Sequence, residues 1–93
     1  MKRKLLRSGA FVSAARKIIK RNTVLVKDLN IVLELLAEDA FDARLKTHKL
    51  HGRLNGFLAC SAGYELRIVF RIIKQSNSEA ILLEAIGSHE EVY

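Results

Sequence analysis

The chain has no proline, a single cysteine (Cys60), and no apolar run near the roughly 18 residues that a membrane-spanning helix needs. Each absence removes a class of protein. With one cysteine there is no internal disulfide and no cysteine-based zinc site, so a reducing compartment, by default the cytoplasm, is the expected setting. The basic start "MKRKLLRSGA" lacks the apolar stretch of a signal peptide, so neither secretion nor membrane insertion is expected. Without proline, repeats or low-complexity tracts, nothing divides residues 1–93, and one domain is expected. Glycine is scarce as well. Gly52 and Gly56 in "HGRLNG" lack the spacing and the strand–turn–helix setting of a phosphate-binding loop, and read as turn and strand-entry glycines.

What is present is a small core and a large positive charge. Hydrophobic residues make up 49% of 93, enough for a single packed core. The formal charge is +6, with a pI of about 9.8, which favours a polyanionic partner, either nucleic acid or an acidic protein segment. The surplus lies in two zones. Residues 2–27 hold nine Lys or Arg and no acid, and residues 44–74 hold seven against Glu65 alone. Residues 28–42 and 79–91 carry five and four acids with no base, so the sign alternates along the chain. Two solvated helix faces with ordinary lysines would account for the net charge equally well.

Periodicity supplies the architecture. "KRKLL" reads as a short first strand. Ser8 can cap a helix running to about Asn22, with Phe11, Ala14, Ala15, Ile18 and Ile19 on one face. A second helix opens near Thr23, carries Leu25, Leu29, Val32, Leu33 and Leu36, and breaks around residue 39. From Leu54 the pattern alternates, predicting strands at about 54–60, 64–73 and 80–86, joined by short turns and paired antiparallel. In the middle strand Leu66, Ile68, Phe70 and Ile72 point one way, while Glu65, Arg67, Val69 and Arg71 point the other. The expected fold is α+β: a two-helix antiparallel hairpin covering the oily face of a curved antiparallel sheet, in the order β-α-α-β-β-β. The opposite face is left to solvent or a ligand.

Few groups on that open face can do chemistry. His48 and His51 lie in the loop "THKLHG", and His89 lies beyond the last strand. An His-x-x-His pair with one distant histidine and no cysteine partner falls short of the converging ligands zinc needs, so no metal is expected. No cofactor is implied either. Neither Ser61 nor Cys60 has a nearby sequence signature for activation as a nucleophile, and Cys60 reads as a small core residue. RNA cleavage suits the inventory better, because the substrate supplies its own 2′-hydroxyl. The reaction needs a base for that hydroxyl, an acid for the departing 5′-oxygen and a cation over the phosphate. His48, Glu65, Arg67 and His89 qualify by type.

The run "THKLHGRLNGFLACSAGYELRIVFRII", followed by "LLEAIGSHEEVY", resembles the RelE/ParE superfamily of bacterial toxins, and most of all its YafQ-like, RelE/StbE branch. The resemblance rests on "H-x-L-x-G" before the sheet, "Y-x-x-R-I-x-F" in the middle strand and "G-S-H-x-x-x-Y" at the end. It covers nearly the whole chain. It implies a RelE-like fold and a toxin that enters the ribosomal A site, cuts mRNA there and is held inactive by a co-transcribed antitoxin. By position, His48 and His89 match proposed acid–base groups, Glu65 stands where the branch has an aspartate, Arg67 matches a phosphate clamp, and Tyr93 matches a terminal aromatic that stacks on a base or orients the scissile nucleotide. One departure is clear. The branch has a further histidine in the first sheet turn, where this chain has Ser61.

The same resemblance gives the two basic zones uses. In the middle zone Lys46, Lys49, His51, Arg53 and Arg71 can follow RNA phosphates, an attraction that fades as salt rises. The zone 2–27 offers complementary charge to an acidic antitoxin segment encoded by a neighbouring gene, in a hetero-oligomer whose toxin is monomeric when alone. Two other functions fit the fold: a ParE-like gyrase inhibitor, whose branch lacks the final histidine and aromatic, and a catalytically weak antitoxin-binding module, which Ser61 would favour.

Overall fold

The computed structural model describes residues 2–63, 66–88 and 92. Its elements are strand β1 (Lys4–Arg7), helices α1 (Gly9–Arg21) and α2 (Leu25–Glu38), and strands β2 (His48–Lys49), β3 (Leu58–Ala62), β4 (Leu66–Gln75) and β5 (Ser78–Ser88). Short 3₁₀ turns at Ala43–Leu45 and Gly52–Leu54 flank β2. The expected β-α-α-β-β-β order is present, with β2 as an added two-residue strand.

Helix α1 begins where its sequence requires. The Ser8 hydroxyl accepts from the Phe11 amide at 3.0 Å, and Lys20 and Arg21 oppose the negative end of the helix dipole. The Asn22 amide closes the helix on the Ile18 carbonyl, and residues 22–24 turn the chain back into α2. Phe11 and Ala15 on α1 and Leu29, Val32 and Leu36 on α2 are buried against the sheet.

The sheet order is β1-β5-β4-β3-β2. Strands β3, β4 and β5 form the expected antiparallel meander, but β1 pairs in parallel with β5, so the sheet is mixed rather than purely antiparallel. The two helices provide the crossover that a parallel pair requires, which is why hairpin reasoning on the meander could not foresee it. Between Val69 and Phe70 the register slips: Val69 faces Ala85, Phe70 faces Leu83, and Glu84 falls between as a bulge. The Ser8 Oγ donates to the Glu84 carbonyl at 2.9 Å, tying the start of α1 to that bulge.

The inward face follows the alternation. Ile68 and Phe70 are fully buried in the main core with Cys60, Ile81, Leu83 and Leu45, and Leu66 and Ile72 pack against it. The outward face is not simply open. The β2–β3 loop folds over part of it, forming a second small core of Leu50, Ala59 and Val69 with Leu54, Phe57, Ala85 and Val92. This also corrects the expected strand start at 54. Leu54 and Phe57 are apolar because they cap the sheet's outer face rather than continue a strand, and β3 begins at Leu58. No described helix is long and apolar enough to cross a membrane.

Candidate active site on the outer sheet face

Strand register places the chemistry. Directly paired residues share a face, so the row Ser61–Arg67–Gly87 crosses β3, β4 and β5 on the outer side. Two residues back along β3 from Ser61, Ala59 pairs with His48 of β2, which puts His48 on that same face. His48 and Arg67 are thus two strands apart and two residues out of step, about 12 Å between Cα atoms by ordinary sheet spacings. Two long side chains at that separation can close on one phosphodiester.

Arg67 is half-buried, and its Nη1 donates to the Leu66 carbonyl at 3.0 Å, which leaves the rest of its guanidinium fork available. It lines a cleft of about 460 Å³ at the open edge of β3, beyond the end of β2, together with Leu35, Arg44, Lys46, Ser61 and Gly63. The cleft is positive. Asp42 binds the Arg44 guanidinium through both carboxylate oxygens, at 3.0 and 2.8 Å. Those bonds and the Arg44 amide hold the Asp42 carboxyl down at about 2, so Arg44 is neutralised by its own neighbour. Among the described residues, no carboxylate pairs with Lys46 or Arg67. Lys46 sits in a left-handed conformation (φ 54°) at the end of the first 3₁₀ turn, which aims the chain into β2. The His48 Nδ1 lies 3.1 Å from the Lys46 carbonyl. Gly63, also left-handed at φ 80°, sits in the β3–β4 turn beside the cleft.

The remaining sequence-predicted residues fall into three groups. Lys49, His51 and Arg53 are exposed around β2 and the second 3₁₀ turn, with Lys49 paired to Leu58 and so on the opposite face from His48. Arg71 is on the outer face but has internal partners: Glu84 at 3.2 Å and the Phe57 ring, whose centroid is 5.2 Å away. Glu65, His89 and Tyr93 lie outside the described residues. Among the described residues, no three His, Cys, Asp or Glu side chains gather as metal ligands. Sequence reading missed the packing of Val92 on the outer face, because a lone valine among charged residues has no periodicity. It also missed the part of α2 in the cleft wall: Leu35 reads as ordinary core-stripe.

The whole arrangement has known counterparts. A variant of YafQ from E. coli matches it with a TM-score of 0.80 at 17% identity, over 99% of both chains. The chain has the YafQ and YoeB toxin fold. The E. coli DinJ–YafQ toxin–antitoxin complex matches at 0.76 and 17% identity, over 100% of this chain and 99% of that one. The YoeB dimer of Staphylococcus aureus matches at 0.75 and 18%, over 96% and 99%. No family model and no curated protein sequence matches the chain. A YafQ-like fold kept at such low identity fits its physical specification: alternating strands and two amphipathic helices demand hydrophobic positions, not particular residues.

Proposed function

We propose that this chain is the toxin of a type II toxin–antitoxin system and acts as a ribosome-dependent mRNA endoribonuclease in the cytoplasm. The observation that carries the reading is the shared outer face of His48 and Arg67, beside a cleft whose Lys46 and Arg67 have no carboxylate partner among the described residues. In the reaction, the 2′-oxygen bonds to the adjacent phosphorus as a base removes its proton, and the 5′-oxygen leaves as an acid protonates it. The products are a cyclic phosphate and a 5′-hydroxyl. Arg67 holds the phosphate and counters its developing negative charge, while His48 and His89 divide base and acid between them. Glu65 assists in the proton transfers, and Tyr93 orients a base. Lys46, Lys49, His51 and Arg53 follow the RNA backbone, with Arg71 contributing the charge that Glu84 leaves it. With Ser61 where the YafQ-like branch has a histidine, the chain has one acid–base group fewer, which predicts slow cleavage.

The partner is an antitoxin. Solved complexes with this fold include DinJ–YafQ and YoeB–YefM. Arg16, Lys17, Lys20 and Arg21 are exposed along α1, on the layer opposite the outer sheet face, and form no ion pair among the described residues. An acidic antitoxin segment is the natural occupant of that helix face.

Induction of the wild type and of Arg67→Ala and His89→Ala in a bacterial host, with mapping of RNA ends, tests the assignment. Wild type should arrest growth and create new mRNA ends. Arg67→Ala should cut about 10²–10³-fold more slowly, the usual loss for one charge-stabilising donor. Growth arrest without new ends would sink the nuclease reading in favour of gyrase inhibition, and no arrest at all would favour an inert antitoxin-binding module.

A further inference from the structure

The groove walled by Phe41 lies at the other end of β3 from the candidate active site; of its lining, only Lys49 and His51 have a role above, as charges along the RNA backbone. Phe41 is 57% exposed, and the only aromatic among the exposed large apolar residues described. Its backbone is nevertheless pinned. The Phe41 amide donates to Asp39 Oδ1 at 3.0 Å, and Ala40 before it is fully buried, with its carbonyl accepting from the Thr47 hydroxyl. Asp42 after it caps the following turn. An aromatic ring held out to solvent on a pinned backbone is the geometry of a stacking platform, since only its two side-chain torsions remain to be ordered on binding.

The rest of the groove completes the chemistry. It measures about 350 Å³, at the small end of the ~300–1,000 Å³ usual for ligand sites, so it suits a single base. Leu50 of the outer core and Ile72 beside the main core supply apolar surface from the two sides of the sheet edge, Asn55 offers an amide to a base edge, and Lys49 and His51 complete the lining. Among the described residues no carboxylate lines it. The far wall is braced by the bond from the Leu50 amide to the Phe57 carbonyl at 3.0 Å. The groove sits level with Leu58 and Ile72, five residues along β4 from Arg67, or about 17 Å at ordinary strand rise. Edge strand β2 joins the two places, with His48 on the active-site face and Lys49 on the other, so an RNA strand joining them passes around the β2 edge of the sheet.

We propose that this groove is a second nucleotide subsite, which stacks one unpaired base of single-stranded RNA on Phe41 and holds the adjoining phosphate with Lys49 and His51. It rests on the nuclease reading and extends it: the base bound here lies a few nucleotides from the scissile phosphate. An acidic peptide is the rival occupant, but the flat exposed ring and the base-sized volume favour RNA.

The chain has no tryptophan, so Phe41→Trp creates a unique indole at the groove. Titration with a 2′-O-methyl hexanucleotide, which cannot be cut because the nucleophile is blocked, should quench that indole saturably, whereas inorganic polyphosphate should not. In anisotropy with the same labelled oligonucleotide, Phe41→Ala should weaken binding about 5- to 150-fold, the loss expected for one stacked base, with Phe41→Tyr restoring it. Lys49→Ala should lower the salt slope by about one. If the wild type binds the oligonucleotide but Phe41→Ala binds equally well, the subsite falls and the nuclease reading stands. If the wild type binds no RNA, the subsite falls, and the nuclease reading is left to the RNA-end mapping described above. If the antitoxin from the neighbouring gene moves the indole and RNA does not, the groove is a protein interface and the subsite is overturned.

Discussion

Cys60 and Ser61 are neighbours on β3 with opposite fates. Cys60 points into the core with no exposed surface, and burial pushes its thiol up from 9.0 to about 12. Ser61 points outward in the Arg67 row. A buried thiol that ionises late is inert, so a disulfide reagent at pH 8 should label Cys60 no faster than the protein unfolds; faster labelling would contradict this burial. The sign of the pH effect follows. The unfolded thiol gives up its proton near pH 9 and the folded one only near 12, so stability contributed by Cys60 is complete below about pH 9 and is lost between 9 and 12. A Cys60→Ser variant should flatten that alkaline loss in urea titrations. The fate of Cys60 was legible in the sequence, because strict alternation from Leu58 sends it inward. The Asp42 clamp that neutralises Arg44 was not, since a two-residue spacing in a loop has no pattern that distinguishes a chelated arginine from a solvated one.

At the scale of elements, Ser8 does two jobs: it caps α1 and donates to the carbonyl of the bulged residue in β5. Ser8→Ala should therefore cost about 2 kcal/mol in urea unfolding, about half from the cap and half from the lost bond to Glu84. Ser8→Asp keeps a capping acceptor but cannot donate, so it should recover only the cap's share; full recovery would show that the bulge contact is worth nothing. The cap was legible, because a serine before an amphipathic run is a local signal. The bulge was not. Its residues alternate well enough on paper, and only pairing with β4 reveals that Glu84 is skipped. Likewise Leu54 and Phe57 look like the start of a strand by hydrophobicity, but their burial against Val69 comes from a loop folding back.

Across the whole molecule, the final segment joins stability to function. Val92 packs on the second small core, and the nuclease reading gives the neighbouring His89 and Tyr93 a chemical role as well. Deleting residues 89–93 should leave a folded protein, weakened by about 1 kcal/mol for the partly buried valine, that still binds its antitoxin. It should no longer arrest growth. Circular dichroism, co-purification and induction read the three outcomes separately, and full toxicity of the truncated chain would confine the tail to packing.

The sequence by itself determined the layers: two amphipathic helices, an alternating meander, and the division of β4 into an apolar face and one bearing Arg67. Those are properties of short periods, 3.6 and 2 residues, written into neighbouring positions. Only the tertiary structure decided that β1 lies parallel beside β5, that a two-residue strand brings His48 onto the face of Arg67, that Val92 packs on the outer core, and that an exposed Phe41 stands over a groove lined by Lys49 and His51. These depend on contacts between residues that are not neighbours along the chain, from His48 with Ala59 to Lys4 with Ala80. Such contacts are selected by how whole layers pack, and they leave no period along the chain.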